Sequence, residues 1–260
     1  MRIVVKVGTS TLAHAGGRMN IRRVELLCKV LSDLKNAGCQ VVLVSSGAIG
    51  MGVGKLSLSG RPEDMPGKQA AAAVGQCELM YTYDKLFSEY NHTVAQILLT
   101  ADDVQDKRRS NYVHDTLDRL LQWGVLPIIN ENDAVAIDEI GIHTTIGEND
   151  TLSAIVAKLV DADLLVLLSD IDGLYTDDPR KNPDATLIPQ VEDITEEILA
   201  LAGGTGTALG SGGMATKLKA AQLTMAAGID MVITNGEKPE NLYELLDGKA
   251  IGTRFKGRSN

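Results

Sequence analysis

Short runs of consecutive apolar, mostly β-branched residues alternate with longer segments of helical spacing along the whole chain. Residues 3–7, 40–44, 94–99, 125–129, 164–168 and 231–234 read as strands, with a short last one at 252–255. Several are apolar at successive positions, which is the pattern of a strand covered on both faces rather than on one. Leu26, Leu27, Val30, Leu31 and Leu34 fall on one face of a helix that Asn20 can cap and Gly38 ends. Further helices are expected at about residues 67–90, 109–123, 150–160, 195–201, 213–227 and 239–246, after a glycine-rich turn near residue 50. Residues 134–137 and 142–146 read as a hairpin around Asp138–Gly141. Parallel strands need a crossover, so strand–helix–strand alternation implies a mostly parallel sheet with helices on both faces. No repeat and no Pro/Ser-rich linker divides the chain, which favours one continuous sheet with two lobes.

The chain has 260 residues, with 25 Lys+Arg against 34 Asp+Glu and a formal net charge of −9. That balance argues against a sequence-independent nucleic-acid binder, whose affinity rests on excess positive charge. A small anion remains compatible, because a few lysines and backbone amides hold a phosphate on an acidic protein. Cys28, Cys39 and Cys77 form no CxxC, and the four histidines have no paired metal-ligand spacing. The longest apolar runs are far shorter than a membrane span. Lys6 interrupts the first run, so it does not read as a secretory segment, and a cytoplasmic protein with no membrane partner is expected.

Ligands of α/β sheets bind beyond the carboxyl ends of the strands, and four strand ends here carry unusual chemistry. Lys6-Val7-Gly8-Thr9-Ser10 brings a cation and an approachable backbone N–H to one place, though a solvated edge lysine would look the same. Ser45-Ser46-Gly47-Ala48-Ile49-Gly50 joins a buried strand to a helix whose first N–H groups lack partners. The glycines that run on to Lys55 match neither a P-loop, which would need glycine at Ile49 and a hydroxyl at Leu56, nor GxGxxG. Gly210-Ser211-Gly212-Gly213-Met214-Ala215-Thr216-Lys217 feeds glycines into a helix with a lysine on its first turn, a phosphate-site pattern. Asn130-Glu131-Asn132-Asp133 and Gly147-Glu148-Asn149-Asp150-Thr151 flank the hairpin. Either Asn149 or Asp150 alone could simply cap a helix. Together the two clusters suggest a polar pocket, because asparagine offers donors and acceptors to a zwitterion and aspartate receives an ammonium. Ser169-Asp170-Ile171-Asp172-Gly173 leads into a long charged loop, residues 175–189, where Asp172-Gly173 is also plain turn chemistry.

These motifs, with Asp178-Pro179-Arg180, stand in an order that resembles the amino acid kinase family, from Ile3 to about Phe255. Within it, the chain is most similar to members that phosphorylate the side-chain carboxylate of L-glutamate. The resemblance implies a three-layer αβα sandwich around a mostly parallel sheet of about eight strands, in a single domain over 1–260. About residues 1–160 would bind substrate and about 161–260 the nucleotide. It implies catalytic roles for Lys6, Lys217 and Asp150, the lysines stabilising the transferring phosphoryl group and the aspartate orienting them. Ser46, Gly47, Asp133 and Asn149 match substrate-binding positions. Lys6, Gly8, Ser169, Asp170, Ser211, Gly212, Gly213, Met214, Ala215, Thr216 and Lys217 match nucleotide-binding positions, with serine at 169 where threonine is also found. ATP would be co-substrate and Mg²⁺ the cofactor, held by phosphates and water with no protein ligand named. The resemblance also implies a homodimer or homotetramer, proline as a feedback inhibitor, and a short form without the C-terminal RNA-binding-like domain of many members. Sibling kinases acting on aspartate, N-acetylglutamate or carbamate, and a non-catalytic sensor of nucleotide or amino acid on the same fold, are the alternatives. The presence of both lysines weighs against the sensor.

Overall fold

The computed structural model describes residues 1–14, 17–135, 148–202 and 213–258. Its elements in chain order are β1 (Arg2–Val7), α1 (Thr9–Leu12), α2 (Ile21–Asn36), β2 (Gln40–Ser45), α3 (Ala48–Lys55), α4 (Met65–Ser88) and β3 (Val94–Leu99). There follow α5 (Ala101–Gln105), α6 (Lys107–Gln122), β4 (Leu126–Glu131), α7 (Asn149–Leu159), β5 (Leu164–Ser169) and β6 (Gln190–Val191). The last are α8 (Glu196–Ala200), α9 (Met214–Ala226), β7 (Asp230–Asn235), α10 (Asn241–Leu246) and β8 (Thr253–Phe255). The strands form one sheet in the order β3-β4-β2-β1-β5-β7-β8-β6, parallel except where β8 runs against β7.

Strand parity sorts the core into two layers. Ile3, Val5, Val7, Val41, Leu43, Leu164, Val166 and Leu168 pack with α2, α3, α4 and α10 on one face. Val4, Val42, Val44, Leu165 and Leu167 pack with α6, α7 and α9 on the other. The expected α/β sandwich, with helices on both faces of an eight-stranded, mostly parallel sheet, is therefore the observed one. Lys6 lies two residues beyond Val4, opposite Val44 and Leu167, so the pleat turns it toward α7 and α9. β1 is central, and the chain leaves it for β2 on one side and later fills β5 on the other, which makes a crevice at the carboxyl ends.

The glycine-rich segment expected as a turn is largely helix α3. Its glycines let backbones meet: a Cβ on Gly52 would stand 1.8 Å from the Ala71 carbonyl of α4, and one on Gly75 would stand 1.8 Å from that of Ala48. Helix α2 starts on the Asn20 side chain, which accepts from the Arg23 N–H, as its sequence predicts. Of the expected hairpin, Ala134 and Val135 sit in a turn after β4 and the rest lies outside the described residues. The charged loop after β5 is tied to itself: Asp178 N–H donates to Asp177 Oδ1, Arg180 N–H to Asp178 Oδ1 and Asn182 Nδ2 to Asp177 Oδ2.

Candidate active site

Three residues that are far apart in the chain meet where β1 ends. The Lys6 ammonium lies 2.7 Å from Asp150 Oδ1, and the Lys217 ammonium 3.1 Å from Asp150 Oδ2. Lys6 is 8%, Asp150 1% and Lys217 6% exposed, so both ion pairs are shielded from solvent. Lys6 comes from a central strand, Asp150 from the first turn of α7 and Lys217 from the first turn of α9, two helices packed side by side. The Thr216 hydroxyl adds a donor to Asp150 Oδ2 at 2.9 Å. Burial would raise the Asp150 carboxyl, but the two ammonium groups outweigh it and hold it at about 2.

A second polar group adjoins the first. Asn149 Nδ2 donates to Ser46 Oγ at 2.6 Å and to Asn130 Oδ1 at 3.0 Å, while Asn130 Nδ2 donates to Gln76 Oε1 at 3.0 Å. Two buried acceptors here, Asn149 Oδ1 and Glu148 Oε2, have no hydrogen-bond partner among the described residues. Burial pushes the Glu148 carboxyl up, with Asp150 adding to the rise and Thr216, Lys217 and Lys6 opposing it. Asp133 sits half-buried in the turn after β4; burial raises its carboxyl and the Arg61 guanidinium lowers it.

The helices that begin beside these residues lack side-chain caps. α1 starts on Gly8, α3 on Gly47, α7 on Glu148 and α9 on Gly213, none of which makes a capping bond, whereas α2, α4, α6 and α8 start on capping Asn, Asp, Asp and Thr side chains. Among the described residues no cap side chain takes the first-turn N–H groups near the lysines, although the Thr11 and Thr216 N–H groups turn back onto the Gly8 and Gly213 carbonyls. Gly47 has φ +105, a conformation that favours glycine and turns β2 into α3. Lys6 Nζ lies 3.5 Å from where a Cβ on Gly8 would stand.

The other expected site residues fall as follows. Ser169 ends β5 and its hydroxyl donates to Asp170 Oδ1 at 3.2 Å; Asp170 itself is exposed. Met214 packs against the core, Ala215 is exposed on the first turn of α9, and Ser211 and Gly212 lie outside the described residues. Gln76 stands outside every motif of the sequence, and the motifs that contain Glu148 and Asn130 single out neither residue. Glu148 carried a legible signal, an acid preceding Asn-Asp at a helix start. Gln76 carried none, since a glutamine inside an alanine-rich helix reads as surface. Among the described residues, no group of three or more His, Cys, Asp or Glu could hold a metal ion.

The chain matches the model of the amino acid kinase family over residues 1–235. It is 56% identical to the glutamate 5-kinase of Clostridium perfringens, covering 98% of this chain and 94% of that one. The glutamate 5-kinase of Clostridium tetani is also 56% identical, over 97% and 93% of the two chains. That of Listeria monocytogenes serovar 1/2a is 51% identical, over 99% and 93%. Among solved structures, a carbamate kinase from Giardia lamblia bound to AMP-PNP superposes with a TM-score of 0.68 at 20% identity, covering 99% and 98%. An isopentenyl phosphate kinase of T. acidophilum in a product complex superposes with a TM-score of 0.67 at 18% identity, covering 98% and 99%. These two likenesses speak to fold.

Proposed function

Because the chain belongs to the amino acid kinase family, we infer that it transfers the γ-phosphoryl group of ATP to the side-chain carboxylate of L-glutamate, the first step of proline biosynthesis. The products are ADP and L-glutamyl 5-phosphate. Identity of 51–56% to glutamate 5-kinases over nearly the whole chain supports the substrate. The observation that carries the chemistry is one buried carboxylate, Asp150, holding two ammonium groups on its two oxygens.

The acceptor carboxylate, with a reference pKa of about 4.3, is already ionised at neutral pH and needs no general base. The obstacle is the approach of one anion to another, so catalysis rests on positioning and on charge set in advance. Lys6 and Lys217, each aimed by Asp150 in a low-dielectric crevice, neutralise the oxygens of the phosphoryl group in flight. The uncapped starts of α1, α3 and α9 offer N–H groups to phosphate oxygens. Mg²⁺, when bound with ATP, would supply charge neutralisation to the nucleotide phosphates. Such ions bind mainly through phosphate and water; the described residues offer no metal cage, and no residue is assigned to it.

The amino acid end of the substrate falls to the second polar group. An α-ammonium needs acceptors, and Glu148 Oε2 and Asn149 Oδ1 are two buried acceptors without hydrogen-bond partners among the described residues. Ser46, Gly47 and Asp133 complete that pocket in this proposal, and Gly8, Ser169, Asp170 and residues 211–217 the nucleotide side. An N-acetylated substrate has no ammonium to satisfy the two acceptors. Proline retains both ammonium and carboxylate, so it competes with glutamate and raises the glutamate KM without changing that for ATP. Assembly into dimers or tetramers belongs to the same reading: β3 is an edge strand with Val94, Ile97 and Leu98 only half-buried.

The test is ADP release with L-glutamate, ATP and Mg²⁺, with the acyl phosphate trapped by hydroxylamine, against aspartate, N-acetylglutamate and carbamate. Glutamate-dependent hydroxamate is the expected result. Preference for another acid, or ADP without hydroxamate, overturns the assignment.

A further inference from the structure

Gln76 lies on α4, outside every motif of the sequence, yet it is only 8% exposed and ends the hydrogen-bond chain of the substrate pocket. Resting on the glutamate reading above, we propose that Gln76 is a positioning residue that sets which end of the Asn149 carboxamide faces the substrate.

A carboxamide has a donor end and an acceptor end, so each partner fixes its direction. The Glu131 N–H donates to Asn130 Oδ1 at 2.9 Å, which turns Asn130 Nδ2 the other way, onto Gln76 Oε1 at 3.0 Å. Asn130 Oδ1 then also accepts from Asn149 Nδ2 at 3.0 Å. With its nitrogen held by Asn130 and by Ser46 Oγ, Asn149 leaves Oδ1 as a buried acceptor beside Glu148. That is the polarity an ammonium group requires. Without the Gln76 oxygen, Asn130 Nδ2 loses its acceptor, and Asn130, 1% exposed, is shielded from bulk solvent. It rotates to find an acceptor, Asn149 loses the atom that aims it, and a donor end can face the ammonium. The backbone holds Gln76 at the required height. Its neighbour Gly75 lets α4 close on α3 so tightly that a Cβ there would stand 1.8 Å from the Ala48 carbonyl, two residues from Ser46.

The experiment compares Gln76→Met, close in size but without the acceptor, with Gln76→Glu, which retains an acceptor oxygen. In Gln76→Met the glutamate KM rises about ten-fold or more while kcat and the ATP KM stay within about two-fold, the loss expected of one misdirected buried polar contact. The competitive inhibition constant of glutarate, which lacks the ammonium, stays within about two-fold, and Gln76→Glu restores most of the glutamate KM. A glutamate KM unchanged in Gln76→Met overturns the proposal. So does a glutarate constant that weakens in parallel, which marks general distortion of the pocket, or a Gln76→Glu variant no better than Gln76→Met. Should Gln76→Met not fold, the same constants read on Gln76→Ala decide. If the wild-type protein forms no hydroxamate from glutamate, the phosphorylation reading itself fails and this inference falls with it; wild-type turnover with an unmoved variant rejects the relay alone.

Discussion

Asp150 gathers the chemistry of the site onto one side chain. Its loss takes from two buried lysines the carboxylate each one holds; the loss of Lys6 strips Oδ1 of its ammonium, and that of Lys217 leaves Oδ2 only the Thr216 hydroxyl. Lys6→Ala and Lys217→Ala should each lower kcat by about 10²-fold or more while circular dichroism stays native, as expected when one charge is removed from a transition-state cradle. Near wild-type turnover in either variant removes that lysine from the mechanism. The ion pairs also predict a pH dependence of folding. The Asp150 carboxyl is held at about 2 in the folded chain, below its ordinary value, so its contribution is complete above pH ~4 and is lost as pH falls toward 2. The contribution is on the order of 2 kcal/mol. Urea unfolding between pH 5 and pH 2 should show that loss in the wild type, and Asp150→Asn should lack that segment of the curve. Glu148 behaves oppositely, since burial raises its carboxyl. Its acceptor is lost as pH falls through that raised value, so kcat/KM for glutamate should decline on the acid side at a pH above the carboxyl's ordinary value. Glu148→Gln should lower kcat/KM at neutral pH and flatten that limb; an unchanged limb assigns it to another group.

At the level of elements, the pocket depends on how closely α3 and α4 approach. Gly50, Gly52 and Gly54 look like a loop in sequence because glycine lowers helix propensity by about 1 kcal/mol per residue. Tertiary packing overrides that cost, since only glycine lets α3 sit on Ala71 of α4 and on Gly17. Gly52→Ala places a methyl 1.8 Å from the Ala71 carbonyl, and the helices must part. The expected destabilisation is roughly 1–3 kcal/mol or more, visible as a lower urea midpoint. Because Gly47 begins α3, a raised glutamate KM should accompany it; a fully stable variant with native KM shows that the helices yield without cost. β6 was illegible for a different reason: Gln190–Val191 is two residues long and exists through its pairing with β8. The charged loop after β5 invites a functional reading, but Asp177, Asp178 and Asn182 are engaged within the loop itself, by Asx turns at Asp178 and Asn182 and by bonds to Asp177.

For the whole molecule, the crevice is assembled from elements on both sides of β1, so occupancy couples them. A nucleotide analogue at about 100 times its Kd should stabilise the fold by about 2.7 kcal/mol, raising Tm by about 5 °C or more. Lys217→Ala should remove much of that rise; a variant with the full shift places nucleotide phosphate away from α9. No helix among the described residues is long and apolar enough to cross a membrane. The layer architecture and the order of the strands' apolar runs were determined by local pattern alone, because covered strands and amphipathic helices are written in residues a few positions apart. So was the set of strand ends rich in glycine, lysine and asparagine. The meeting of Lys6, Asp150 and Lys217 was decided by tertiary structure. Only the pleat of β1 and the packing of α7 on α9 bring side chains more than sixty residues apart to within 3.1 Å. The direction of the Asn149 amide belongs to the same class. Hydrogen-bond polarity depends on partners that the linear chain scatters over four separate elements or turns, and it exists only once they are buried together.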